Sequence, residues 1–304
     1  MNNTAIVSPN RRSFVAMIGS IGVVSILSSC GKTKEDTTST PQPKASNPAP
    51  SDNGGNDAYI PQPVDKIDYS QNEEFGIVLG DGIFNDEHGE YRQLTVSENS
   101  SLMKYDKSLA EESVFYAFTE EEVKSAQQFI SPFVVEQADS TLLWDNSSET
   151  KNEWLEKHID KFSEAARDDL VKEVQEPTND WYSIINGNAN NWKSNIAPIY
   201  VENQPRIAFT DIKLDSITAF LDETENNEER LRFDYTWTAM EDAYDDEENG
   251  VLVIRAERTF ALKRDGKGGW LINGWVGKFV YETVSGEKFD PTKKYAQDPF
   301  PELE

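Results

Sequence analysis

Few residues in this chain are suited to holding a metal or a disulfide. There is one cysteine, Cys30, and there are two histidines, His88 and His158, in 304 residues. A zinc site of several Cys and His ligands is excluded, and so is a disulfide framework. Basic residues are scarce as well: 29 Lys and Arg stand against 55 Asp and Glu, a formal net charge of −26. Such an acidic chain repels polyanions, which excludes nucleic-acid binding by phosphate neutralisation and docking on anionic lipid through a basic face. No apolar run reaches the roughly 20 residues that a membrane-crossing helix needs. A phosphate-cradling glycine loop, a Gly-x-Ser-x-Gly elbow and a metalloprotease helix motif are all missing. Nothing in the sequence calls for a cofactor, and no internal repeat is evident.

The N-terminus carries an address. Arg11 and Arg12 precede an apolar run from Phe14 to Leu27, which is bounded by Leu27-Ser28-Ser29-Cys30-Gly31. Residues 1–29 read as an export signal. The run of Leu, two small residues and Cys resembles the lipobox of bacterial lipoproteins. That resemblance implies acylation of the Cys30 sulfur, with Cys30 as the new N-terminus after cleavage. Arg11, Arg12 and Phe14 partly resemble a twin-arginine signal, with Asn10 and Ala16 departing from the usual pattern. A general secretory signal with arginines in its basic region is the other reading. Loss of Arg11 and Arg12 with the signal leaves 27 basic residues against 55 acidic ones, a net charge of −28. Residues 30–57 then form a tether of small and polar residues that lacks the apolar surface to offset its ordering entropy.

The exported part begins at about residue 58. Up to residue 118 it reads as a β-rich extension, with strands over Phe75–Leu79 and Tyr91–Val96. Gly80-Asp81-Gly82 and His88-Gly89 supply turn chemistry between them. Thr119 and Glu122 make a capping box ahead of an apolar stripe of Val123, Ala126, Ile130, Phe133 and Val134. Pro132 is expected to kink or interrupt this helix. Thr150 and Glu153 suggest a second box, opening one helix that carries Trp154, His158, Phe162 and Leu170 and closes at Pro177.

Beyond residue 205 the apolar period changes from helical to alternating. Ile207 and Phe209, then Ile212 and Leu214, then Ile217, Ala219 and Leu221 alternate with two slips of parity. Two slips predict β-bulges and a bent sheet. Leu231–Ala239, Leu252–Leu262 and Trp270–Tyr281 make three more strands, with a tight turn over Asp265–Gly269. The expected fold is α+β, with helices packed on one face of a bent antiparallel sheet of about four strands. In element order, residues 119–283 resemble the nuclear transport factor 2-like superfamily, which implies a cone around a cavity and a homodimer habit. Residues 284–304 read as a C-terminal tail. The stretch from Thr119 through Leu142-Leu143-Trp144-Asp145 also resembles uncharacterised lipoproteins of high-GC Gram-positive bacteria, a resemblance that implies no activity.

Four residues stand out as lining a ligand pocket: Trp237, Arg258, Trp275 and His158. His158 lies on an apolar helical stripe, where it is either a general base or a buried, hydrogen-bonded ring. Arg258 falls on the apolar parity of its strand, so it meets an anionic ligand or lies near a sheet rim with its head in water. Trp237 and Trp275 belong to an aromatic crowd that either walls a pocket or fills a core. Six acids between Glu241 and Glu248 suggest calcium, yet Ala256 occupies the twelfth place of an EF-hand loop begun at Asp245. With Asn249-Gly250 at its end, this stretch reads more simply as a hairpin tip.

Three functions follow as expectations. The first is a lipid-anchored protein on the extracytoplasmic face of the cell membrane, binding a small ligand or an envelope protein without catalysis. The second is a dehydratase- or isomerase-type enzyme using His158 and an Asp. The third is calcium-dependent adhesion through the acidic hairpin.

Overall fold

Local pairing builds the N-terminal part. The computed structural model describes residues 62–86, 89–140, 142, 147–176, 196–222, 227–245 and 248–296. The chain divides into two units, Met1–Tyr59 and Ile60–Glu304, and every described residue belongs to the second. After a single helical turn, α1 (Gln71–Glu74), come four short strands, β1 (Ile77–Leu79), β2 (Phe84–Asp86), β3 (Gly89–Tyr91) and β4 (Leu94–Val96). β1 pairs with β4 and β2 with β3, both antiparallel, so the segment is one interrupted hairpin. Gly76 enables its entry: φ is +69°, and a Cβ there would lie 2.5 Å from the Ser100 backbone. Three turns of 3₁₀-helix follow, between Ser101 and Tyr116.

α2 (Glu120–Ala138) starts where the capping box predicts. The Glu122 N–H donates to the Thr119 hydroxyl (3.2 Å), and the Thr119 N–H donates to Glu122 Oε2 (2.8 Å). The helix is not interrupted at Pro132 but runs past it to Ala138. Pro132 removes the N–H that would bond the Gln128 carbonyl, and Gln128 lies on the exposed side, where water can replace it.

The single long helix expected next is two. α3 (Ser148–His158) begins one turn before the expected Thr150–Glu153 box, because Ser147 is its N-cap and accepts from the Thr150 N–H (3.2 Å). α4 (Glu164–Gln175) follows a break at Phe162-Ser163. Phe162 bridges to Ile272, and the Ser163 N–H donates to the Ile272 carbonyl (2.9 Å). Tertiary pairing thus overrides a continuous helical stripe. Pro177 lies outside the described residues.

Five strands complete the fold: β5 (Ile196–Pro198), β6 (Ala208–Asp222), β7 (Glu228–Asp245), β8 (Glu248–Arg264) and β9 (Trp270–Ser285). They form one antiparallel sheet in which β7, β8 and β9 are successive neighbours. β6 lies along the free edge of β7, and β5 extends that edge beside Ala243–Asp245. Register shifts occur at Phe209/Asp211 and Leu214/Ser216, where the parity slips place them, and they curl the sheet. A third shift, at Ala261/Leu262, has no parity signature in the sequence. It leaves Asn273 out of register, and Asn273 accepts a hydrogen bond from the Ser163 hydroxyl at the start of α4.

The turn over Asp265–Gly269 is as expected: Asp265 Oδ1 accepts from the Lys267 and Gly269 amides (2.6 and 2.8 Å). Asn249-Gly250 does not form the tip of the β7–β8 hairpin. Both residues pair within β8, and Asp245 faces Glu248 across the two-residue connection. Gly250 is there because β9 passes close by, and a Cβ would meet the Val284 carbonyl oxygen at 2.8 Å.

The helices cover one face, the inner one, where Leu231, Phe233, Tyr235, Trp237 and Ala239 of β7 are buried. Their alternates Arg232, Asp234, Thr236 and Thr238 lie on the outer face. Around Met240, Val251, Val253 and Val284 the outer face is apolar too. It is covered there by Val64 and Ile67 from the N-terminal side and by Phe289 and Ala296 from the segment after β9.

Candidate functional site

His158 ends α3 facing inward, 1% exposed. Its ring packs 4.6 Å from Trp154 and edge-on at 5.5 Å from Phe133. Nε2 lies 3.7 Å from Glu136 Oε1, and Nδ1 lies 3.5 Å from Lys161 Nζ. Burial pushes its pKa down to about 4; Glu136 opposes that fall, and Lys161 and Lys157 add to it. The imidazole is therefore neutral near pH 7 and acts as a packed ring of the core.

Arg258 takes the inward parity the alternation assigns it and is 4% exposed. Its partner on β9 is Gly277, which has no side chain to block it. The guanidinium crosses that gap, and Nη1 donates to the Lys278 and Glu257 carbonyls (3.2 and 3.3 Å). Burial lowers its pKa to about 9, and Glu173 on α4 opposes the fall. Glu173 also accepts from Trp275 Nε1 (2.7 Å), whose ring meets Phe162 edge-on at 5.3 Å. The structure thus brings Arg258 and Trp275 together around Glu173. His158 lies apart from that group, under α2. Trp237 is in the core, edge-on to Phe209 at 5.9 Å.

Glu173 was not singled out by the sequence. It sits beside Leu170 and Val174, at the border of the apolar stripe of α4, which is its one sequence signal. A second unforeseen group is the buried ion pair of Asp139 and Arg206, both side chains 1% exposed, with Arg206 Nε 3.0 Å from Asp139 Oδ1. The Leu94 N–H donates to Asp139 Oδ2 (2.8 Å), and the guanidinium lies 4.1 Å over the Tyr91 ring. Burial raises the Asp139 pKa, against the pull of Arg206 and the Leu94 amide. Burial opposes the charge on Arg206, and Asp139 together with Tyr200, Tyr91 and Glu241 outweighs it, so the Arg206 pKa rises. The pair ties the hairpin, the end of α2 and the entry to β6 together. Its signal is an acid at a helix C-terminus, where the dipole disfavours it.

A surface depression of about 390 Å³ lies away from all of these, lined by Lys107 and Phe115–Glu120. Lys107 and Glu120, which lie along it, are paired at 2.9 Å. None of Trp237, Arg258, Trp275 and His158 lines it. Of the acidic hairpin, Asp242 is already engaged, accepting from the Val64 N–H (2.8 Å) and the Tyr69 hydroxyl (2.9 Å). Among the described residues no group of three or more His, Cys, Asp or Glu is placed to hold a metal ion. No helix among them is long and apolar enough to cross a membrane. Cys30, Arg11, Arg12, Phe14 and His88 lie outside the described residues.

The chain matches no protein-family model, no curated protein and no solved structure.

Proposed function

We propose that this chain is a lipoprotein held by a lipid on Cys30 at the extracytoplasmic face of the cell membrane. Its α+β domain is a non-enzymatic module that binds a small ligand or an envelope protein. The observation that carries the reading is the position of the sole cysteine, directly after Leu27-Ser28-Ser29 at the end of an export signal. The finer reading of the fold is a nuclear transport factor 2-like cone. Helices that precede four long strands, bulges in β6 and helices packed on one face of the sheet all support it.

Two features favour binding over catalysis. His158 and Arg258, on which an isomerase or dehydratase would draw, are both engaged in the fold. Phe133, Phe162, Phe233, Tyr235 and Phe260 fill the space between helices and sheet, which favours contact across a surface. Fractionation of cells expressing the wild type and Cys30→Ser tests the anchor. The wild type is expected in the membrane pellet after a high-salt wash, and the variant in the soluble fraction. Equal partition of the two removes the reading. Native mass spectra of the gently purified protein test ligand carriage, through a mass excess that is lost on denaturation.

A further inference from the structure

Both ends of the described chain meet on the outer face beside the β7–β8 connection. Gln62–Ser70 runs across that corner. The Gln62 N–H donates to Asn249 Oδ1 (3.1 Å), and Lys66 Nζ donates to the Gly286 and Phe289 carbonyls (2.7 and 2.9 Å). Val64 and Ile67 lie on the apolar strip of Met240, Val251, Val253 and Val284. Beneath them is Asp242, 1% exposed. Its two oxygens accept from the Val64 amide and the Tyr69 hydroxyl, both on this segment. Among the described residues no cation pairs with it. The segment also carries Asp65, Lys66, Asp68 and Tyr69, and β7 carries Glu241. To these β9 adds Glu282, which accepts from the Ala296 N–H, and the segment after β9 adds Asp290, paired with Lys293, and Tyr295.

A carboxylate held by two neutral donors is costly to dehydrate. Closing the segment over Asp242 imposes that cost, and opening the segment relieves it. We propose that Gln62–Ser70 is a proton-sensitive strap that closes more firmly over the outer face as pH falls and loosens as pH rises, with Asp242 as its switch. In the closed state burial holds the Asp242 carboxyl above its ordinary value; the Val64 amide and Tyr69 hydroxyl oppose that rise, and Asp65 adds to it. The closed state therefore binds the proton more tightly than the open one. Linkage then makes opening less favourable toward acid, between the raised value and the ordinary value near 4. Opening frees Gln62–Ser70 and uncovers the part of the apolar strip that Val64 and Ile67 cover.

Hydrogen exchange of the full chain, read by mass spectrometry from about pH 8 to about pH 4, tests this. Peptides covering Gln62–Ser70 are compared with core peptides of β7 and β8, after correction for the intrinsic rate. Strap protection is expected to rise relative to the core as pH falls, by at most about tenfold per pH unit. Asp242→Asn keeps the shape without the charge and is expected to hold the strap closed with no such dependence. Strap protection that does not change with pH in the wild type overturns the proposal, as does the same dependence in Asp242→Asn. Where Asp242→Asn does not fold, the wild type decides: strap and core peptides moving in parallel overturn it.

Discussion

A buried charge leaves little tolerance for change, and two residue positions show it in different ways. Asp139 and Arg206 neutralise each other with 1% of either side chain exposed. Removing one partner strands the other, at a cost of about 3–5 kcal/mol. Arg206→Met and Asp139→Leu should each lose about that much in urea unfolding. The double variant should lose less than the two singles together, and strict additivity would show that the pair is not coupled. At His158 the charge is excluded. Its folded pKa of about 4 lies below the ordinary histidine value of 6.5, so the unfolded chain takes up the proton first. Its contribution is present above pH 6.5 and is lost as pH falls toward 4, by up to about 3 kcal/mol. His158→Gln should flatten that part of the stability–pH curve, and an unchanged acid slope would contradict the assignment.

At the scale of elements, local rules and tertiary pairing divide the work. Thr119 and Glu122 start α2 by a reciprocal pair of hydrogen bonds between near neighbours, so the start was legible in the sequence. Thr119→Ala should cost about 1 kcal/mol in urea unfolding. The bulges of β6 were legible too, because each reverses the parity of the apolar residues that follow. The bulge at Asn273 was not, since Trp270–Tyr281 is apolar on both faces and carries no parity to reverse. Nor was the break between α3 and α4, which depends on Phe162 and Ser163 meeting Ile272, over a hundred residues on. A helical stripe records which face is buried and says nothing of a partner so distant in sequence. Ser163→Ala removes the bond to Asn273 and should cost about 1 kcal/mol, with loss of protection concentrated in α4. Uniform loss across the sheet would show that the contact does not set that boundary.

Across the whole molecule, the described fold is a curled sheet with helices on its inner face and both ends of the described residues clasped on part of its outer face. Of the four residues singled out from the sequence, parity placed Arg258 and Trp237 on the inward face correctly. It could not show that Arg258 reaches backbone carbonyls across Gly277, nor that Trp275 binds Glu173. Side-chain type and spacing give a face, whereas a partner on another element comes only from the folded arrangement. Function is the least legible level, because the chemistry that carries the proposal is one cysteine and its neighbours rather than a constellation in the domain. The intact mass of the protein extracted from membranes tests that proposal most directly. The account predicts a chain that begins at Cys30 and carries added lipid mass on the N-terminal peptide. A chain that begins elsewhere, or an unmodified Cys30 peptide, would contradict it.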